Sequence, residues 1–345
     1  MAGIERFFFE LMSLLMSLFM SFGAIATPGT NDLINQMNDD ANLKFVVTGD
    51  PQVCSYNPTR EANLIEASRD LSNSQIVLDA FVMAGDIAEN GLQAEFDRVY
   101  EDIKDIPCNN FIAAAGNHDI RLRDYEEAKN NVLSFMNSLN AEENHKTELA
   151  YEYDVNGYKF LVVASDTAEF EKAYISDAQL QWLNLALKEY TKNGDPVFVV
   201  THYPLAESHG LPNTWGSSNS DDVYGSLPTY VAPTDPDYTG SIGKQSNEVY
   251  EIINDYKNVF FITGHLHTGF GKNTYQTIDE ANNVQGINVP SVGIDNKDGS
   301  YNNPGTALFV EVTPTQVIFY ARDFGEGKFL TADQFEQAVM TYDLI

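Results

Sequence analysis

Cysteine is nearly absent from this 345-residue chain, with only Cys54 and Cys108 present. That excludes a disulfide-built scaffold and a multi-cysteine zinc site. Nor do the two suit each other. Cys54 falls just past the end of one expected strand and Cys108 just before the start of another in the same sheet. They stand about a strand length apart, ~15 Å or more, whereas a disulfide tolerates a Cα separation of ~7 Å. Positive charge is also scarce, since 20 Lys and Arg face 50 Asp and Glu for a formal net charge of −30. Such a field repels polyanions, so nucleic acid and anionic membrane surfaces are disfavoured as general partners. Any phosphate-bearing ligand needs a strong local positive charge, which a bound metal supplies. Beyond residue 26 no apolar run is long enough to span a bilayer, and there is no internal repeat or low-complexity tract. What remains, 43% apolar residues with 12% aromatics, fills the core of one large or two ordinary domains and excludes general disorder.

Residues 1–27 stand apart. Phe7 to Ala26 are nearly all apolar and end in Ala24-Ile25-Ala26 before Thr27-Pro28, the pattern of an export signal with a small-residue cleavage site. Against this, Glu5 sits beside Arg6 where a basic stretch is expected. Arg6, Glu10, Ser13, Ser17 and Ser21 also form one narrow polar stripe on a helix. A retained membrane-associated helix, or one packed on a cytosolic protein, therefore stays open beside export to the cell surface or beyond. Residues 28–42 read as a polar linker.

From residue 43 onward, short β-branched or aromatic runs alternate with amphipathic stretches, which predicts an α/β fold. Strands are expected at Lys44–Thr48, Ile76–Met83, Phe111–Ala115, Tyr158–Ala164, Pro196–Val200 and Val259–Thr263. Helices are expected at about Glu61–Ser72, Leu92–Lys104, Tyr125–Leu139, Ala178–Tyr190 and Asn247–Tyr256, with Ser176 and Gln179 forming a capping box for the fourth. Asn156-Gly157 marks a hairpin, and Thr313-Pro314-Thr315 joins a second between Ala307–Val312 and Gln316–Ala321. The stretch 204–243 is aperiodic and rich in Gly, Pro, Ser, Asn, Asp and Tyr, so it reads as a lid or specificity loop, the alternative being a passive surface insertion.

Five of the strands end in polar clusters: Gly49-Asp50-Pro51-Gln52, Gly85-Asp86-Ile87-Ala88-Glu89-Asn90-Gly91, Gly116-Asn117-His118-Asp119, Thr201-His202-Tyr203-Pro204 and Gly264-His265-Leu266-His267. Strand ends on the same side of one sheet converge, and α/β folds place their sites outside the carboxyl ends of strands. A lone histidine there is usually a core residue. Four of the chain's six in equivalent positions, beside Asp50, Asp86 and Asn117, point instead to a metal site. His145 and His209 have no such setting, although His209 lies in the long loop within reach of a substrate. Carboxylate, amide and imidazole donors without thiolates suit Mn²⁺, Fe²⁺, Zn²⁺ or Mg²⁺. Seven ligands exceed the need of one ion, and Asp86 can bridge two, an arrangement suited to in-line displacement at phosphorus. The glycines beside these ligands read as turn residues, and a turn also lets backbone approach a metal closely.

These ordered motifs, over about residues 44 to 270, resemble the calcineurin-like metallophosphoesterase superfamily. The resemblance implies a two-sheet β-sandwich flanked by helices in four layers, occupying 43–345. It implies one metal held by Asp50, Gln52, Asp86 and His267 and another by Asp86, Asn117, His202 and His265. His118 is then the general acid, with Asp119 orienting it. The implied chemistry is hydrolysis of a phosphate ester by a hydroxide between two divalent metals, without a covalent phosphoenzyme. Gln52 stands where the first motif usually ends in His, a form similar to the branch that includes protein phosphatases. Phosphomonoesters of small molecules or phosphoproteins are the expected substrates, and phosphodiesters of nucleotides, lipids or cell-envelope polymers the alternative. Arg60, Arg121 and Arg123 lie near the motifs without deciding between them. A module that has lost catalysis should also have lost His118 or several ligands, and this chain retains them.

Overall fold

The central strand runs of this chain are apolar on both faces, which demands cover on both sides of each sheet. In β1 (Leu43–Thr48), Phe45 and Val47 point one way and Val46 the other, and all are buried. The structure is a computed structural model that describes residues 38, 40–74, 76–140, 146–168, 172–206, 240–279 and 284–345. After β1 come α1 (Pro58–Asn73), β2 (Ala80–Met83), α2 (Gln93–Ile103), β3 (Phe111–Ala113), the single-turn α3 (Asn117–Ile120) and α4 (Tyr125–Leu139). A second run holds β4 (Tyr151–Val155), β5 (Tyr158–Val162), α5 (Asp177–Tyr190), β6 (Val197–Val200), α6 (Ser246–Asn254), β7 (Val259–Thr263), β8 (Tyr275–Asp279) and β9 (Val284–Asn288). The chain closes with β10 (Thr306–Val312), β11 (Gln316–Asp323), β12 (Lys328–Phe329) and β13 (Val339–Asp343).

Two mixed sheets result. One has the order β12-β11-β10-β1-β2-β3 with β13 paired to β11, and the other the order β4-β5-β6-β7-β9-β8. Their inner faces meet in an aromatic core where Phe45 lies 5.2 Å from Phe160 and 5.0 Å from Phe198, ring centre to ring centre. The outer face of the first sheet is covered by α1, α2 and α4, through Leu64, Phe96 and Phe135 among others. The second sheet is covered by α5 and α6, through Leu183, Leu187, Val249 and Ile253. This gives the four layers expected, helix, sheet, sheet and helix.

Where sequence and structure differ, buried polar groups explain it. Ser176 does cap α5, its Oγ accepting from Gln179 N at 3.3 Å. The reciprocal half of the expected box is missing, because Gln179 is buried and its amide instead bonds both backbone groups of Ala164, at 3.0 and 2.8 Å. Strands β8 and β9 escaped the sequence pattern, since the buried segment Val284–Asn288 reads Val-Gln-Gly-Ile-Asn and has no apolar run. Cys54 and Cys108 are both unpaired thiols, as their strand positions require. The expected signal or membrane helix at 1–27, most of the linker at 28–42, His145, and residues 207–239 of the long loop with His209 lie outside the described residues. At the base of that loop Ile242 N donates to Pro204 O at 2.9 Å, closing its two ends together. No described helix is long and apolar enough to cross a membrane.

Candidate metal centre

The polar clusters converge, but from two sheets and not from one as the strand pattern alone suggests. Asp50, Asp86 and Asn117 follow β1, β2 and β3 of the first sheet, while His202 and His265 follow β6 and β7 of the second. Both sets of parallel strands end at the same edge of the sandwich. The chain turns there sharply: Asp50, Gln52, Asp86, His265 and His267 all hold left-handed backbone, with φ of 50°, 42°, 51°, 74° and 48°. Non-glycine residues avoid that region and gather in it where function requires a strained placement.

Each turn puts a side-chain donor into one small volume. His202 Nε2 lies 3.2 Å from Asp86 Oδ2 and 3.0 Å from His265 Nδ1. His267 Nε2 lies 3.1 Å from Asp50 Oδ1, and His265 N donates to that same carboxylate. Two trios are thereby formed, Asp86 with His202 and His265, and Asp50 with Asp86 and His267, each with its donor atoms within 4.8 Å of one another. Asp86 belongs to both. Gln52 Nε2 donates to Asp86 Oδ2 at 2.7 Å, and Asn117 is buried at the start of α3.

Two observations show that this donor set fits divalent ions. His202 Nδ1 faces the Ala84 carbonyl at 2.9 Å. As the donor there it leaves the Nε2 lone pair turned inward, as a metal-binding imidazole is held. The electrostatics agree. Burial opposes charge on His202, yet Asp86 and Asp50 push its pKa up to about 9. Burial likewise raises Asp86, but the His202 and His118 rings hold its carboxyl well below the usual range. Burial and the His202 cation then keep His265 neutral, far below its usual range. The buried carboxylates thus gather positive charge, and a proton on His202 stands where a divalent cation would serve better.

Close approach explains the neighbouring glycines. A Cβ on Gly116 would stand 2.1 Å from Asp86 Oδ1, and one on Gly85, whose φ is +89°, only 2.6 Å from His202 Cβ. Side chains at either place would push the donors apart.

His118 lies at the mouth of the centre, its Nε2 4.0 Å from Asp86 Oδ2. Its Nδ1 meets the Glu89 backbone oxygen at 2.9 Å, and Arg121 Nη2 lies 2.8 Å from Nε2. A carbonyl can only accept, so Nδ1 carries the proton, and Arg121 Nη2, also 3.3 Å from Nδ1, lies against the ring. Asp119 does not orient this ring, contrary to the sequence-based expectation. Its fully buried carboxylate accepts from Gly116 N, Ala88 N and Ile87 N at 2.8, 2.8 and 3.2 Å. It therefore ties the β3 turn to the β2 turn. Burial and the Asp86 charge push it up to about 7.

Sequence reasoning passed over two supports. The Glu89 carboxylate pairs with Arg60 and accepts from Tyr56 Oη at 3.0 Å, and Arg60 also donates to Gln52 O at 3.3 Å. Ser291 Oγ donates to Asp50 O at 2.8 Å from the turn after β9. The only signal for Glu89 was its place in the polar run after Asp86, and Ser291 had none.

Known proteins share this architecture. The structure superposes on a dimetal phosphatase from Danio rerio with a TM-score of 0.60 at 13% identity, covering 89% of this chain and all (100%) of that one. It superposes on a purple acid phosphatase, PPD1, from yellow lupin (Lupinus luteus) seeds with a TM-score of 0.58 at 12% identity, covering 87% of this chain and 53% of that one. At such identities the likeness is one of fold. No curated protein matches the chain in sequence. The profile of the family described as calcineurin-like phosphoesterase does match, over residues 43–269, from β1 through the last of the converging histidines. With two sheets and shared-carboxylate trios of the kind such metal-dependent hydrolases use, the chain belongs to the calcineurin-like phosphoesterase family.

Proposed function

We propose that this protein hydrolyses phosphate monoesters of small molecules or phosphoproteins. Asp50, Gln52, Asp86 and His267 would hold one divalent ion, and Asp86, Asn117, His202 and His265 a second. The observation that carries this reading is the pair of donor trios sharing Asp86. When bound, two such ions supply a nucleophilic water at neutral pH and a positive clamp on phosphate oxygens.

The chain's own residues do the rest. The Ala84 carbonyl fixes the His202 ring, and the Glu89 carbonyl fixes that of His118. With Nδ1–H held by that carbonyl, His118 turns Nε2 toward the centre, and as the imidazolium, with a second proton taken from solvent at Nε2, it would hand that proton to the leaving oxygen. The net charge of −30 works against nucleic acid as a substrate. An N-terminal export signal or membrane-associated segment would place the activity at or beyond the cell surface.

The test is turnover of phenyl phosphate against methyl phenyl phosphate by metal-reconstituted protein, with His118→Asn beside the wild type. The monoester should be the better substrate. His118→Asn should keep its metal while losing ~10² in rate on the poor phenol leaving group, and less on an activated ester. A clear preference for the diester would replace the monoester reading with the phosphodiesterase one.

A further inference from the structure

We infer that the ester cleaved here has an aromatic leaving group, and that this group stacks on Tyr56 within an apolar rim completed by Leu92 and Leu122. The inference rests on the phosphomonoesterase reading and names its substrate class as aryl phosphates. Among the described residues, few large apolar side chains are exposed, and isolated ones are ordinary on any surface. Tyr56, Leu122 and Leu92 are not isolated. They are 65%, 54% and 37% exposed and flank the metal centre on the side of His118.

Polar contacts gather the three around residues 89–92. Tyr56 Oη donates to Glu89 Oε1 at 3.0 Å, and the carbonyl of the same Glu89 meets His118 Nδ1 at 2.9 Å. One residue therefore sets the spacing between the exposed ring and the proposed acid. Gly91, beside Leu92, lies so near the next segment that a Cβ on it would stand 2.3 Å from Asp119 O. Leu122 sits between Arg121 and Arg123, and Arg123 Nε donates to Asn90 O at 3.3 Å. On the other flank Arg60 pairs with Glu89 and donates to Gln52 O at 3.3 Å, so the tether of Tyr56 runs into the first ligand turn.

A ring this exposed adds little to the packing of the fold, yet its hydroxyl is tied down, and fixing its rotamer costs conformational entropy. The arrangement offers a preordered face for another ring, a use that suits an apolar body with a polar tip. The chemistry gives the direction. A leaving oxygen must approach His118 Nε2 to be protonated, so the group it carries departs past His118 and onto that flank. The three rim side chains carry no charge, and Glu89 and Arg60 answer each other, so the rim favours an apolar ring over an ionic group.

The experiment uses full-length, metal-loaded wild type, Y56A, Y56F and L122S. Calorimetry reads the binding of benzylphosphonate and ethylphosphonate, uncleavable probes with and without the ring, and turnover reads phenyl phosphate and ethyl phosphate. We expect wild type to bind benzylphosphonate about fivefold or more tightly than ethylphosphonate. Y56A should lose about three- to tenfold in benzylphosphonate affinity and in kcat/KM on phenyl phosphate, with both ethyl compounds changed less than about twofold. Y56F keeps the ring without the bond to Glu89 and should stay within about twofold of wild type. L122S should show a smaller loss of the same ring-selective kind, and it decides should Y56A fail to fold in thermal melts. A Tyr56 that merely supports Glu89 and His118 would lower both esters alike, and Y56F would match Y56A. Either result, or a wild type without preference for benzylphosphonate, overturns the inference. A wild type that cleaves methyl phenyl phosphate and not the monoesters refutes the monoesterase reading instead, and the phosphonate affinities still decide whether Tyr56 holds an aromatic group.

Discussion

Replacing Gly116 with alanine tests whether the metal centre depends on crowded backbone and not on ligand identity alone. Gly116 has φ −103° and ψ −179°, extended backbone open to any residue, so the substitution carries no conformational strain. Its whole effect is steric. The added Cβ would stand 2.1 Å from Asp86 Oδ1 and 2.4 Å from Asp86 N, where ordinary contact begins at 3.4 Å. Asp86 must therefore withdraw its carboxylate by about 1.3 Å, and the backbone of one turn must shift as well. That movement breaks the bond from His118 N to Asp86 Oδ1, now 2.8 Å, and pulls a shared donor out of both trios. Overpacking of this kind costs about 1–3 kcal/mol, and loss of a hydrogen bond to a charged group about 1.5–3 kcal/mol. We expect an unfolding free energy lower by about 3 kcal/mol in urea, and metal affinity by equilibrium dialysis lower at least tenfold. Gly157→Ala is the control, since its φ is +88° but no atom lies within 4 Å of a built Cβ. It should cost about 1–2 kcal/mol for the left-handed backbone and leave metal binding unchanged. A Gly116→Ala protein with wild-type stability and metal content would refute the crowding argument.

Three further outcomes follow from other parts of the structure. Gln52→His should tighten the weaker metal site in titrations of the apo protein, because imidazole is a better donor than an amide oxygen. Unchanged affinity would show that Gln52 only donates to Asp86, as its 2.7 Å bond allows. Phe198→Ala, which empties the ring contacts with Phe45 and Phe160 at 5.0 and 4.9 Å, should destabilise by about 3–5 kcal/mol in urea. A cost under about 1 kcal/mol would mean that the sheets are not held together there. Asp102 is pushed up from 3.8 to about 6 by burial and then by the Glu61 charge. Its native-state proton adds stability that is full below about pH 4 and lost as pH rises through about 6. Asp102→Asn should thus melt above wild type at pH 8 and level with it at pH 4, and a gain at pH 4 alone would contradict that sign.

The sequence by itself determined the α/β class and which polar residues stand at the strand ends. Apolar, β-branched runs of five to eight residues, too short for helices and separated by helical periodicity, read as strands. Asn156-Gly157 fixed a two-residue hairpin whose members have φ of 55° and 88°. The helix expected at Tyr125–Leu139 has those bounds in the structure. Asp50, Asp86, Asn117, His202, His265 and His267 were legible because each follows a strand, and one-dimensional order is enough to place a residue at a strand end. Tertiary structure decided what lies across from what. That the clusters are shared between two sheets, that Asp119 ties turns together instead of steering His118, and that Arg121 rests on the His118 ring all depend on contacts between segments. Local pattern does not encode such contacts. Segments such as Val284–Asn288 became strands only because β7 and β8 offer their backbone groups partners in a buried place, where an unpaired amide costs more than an unfavourable propensity.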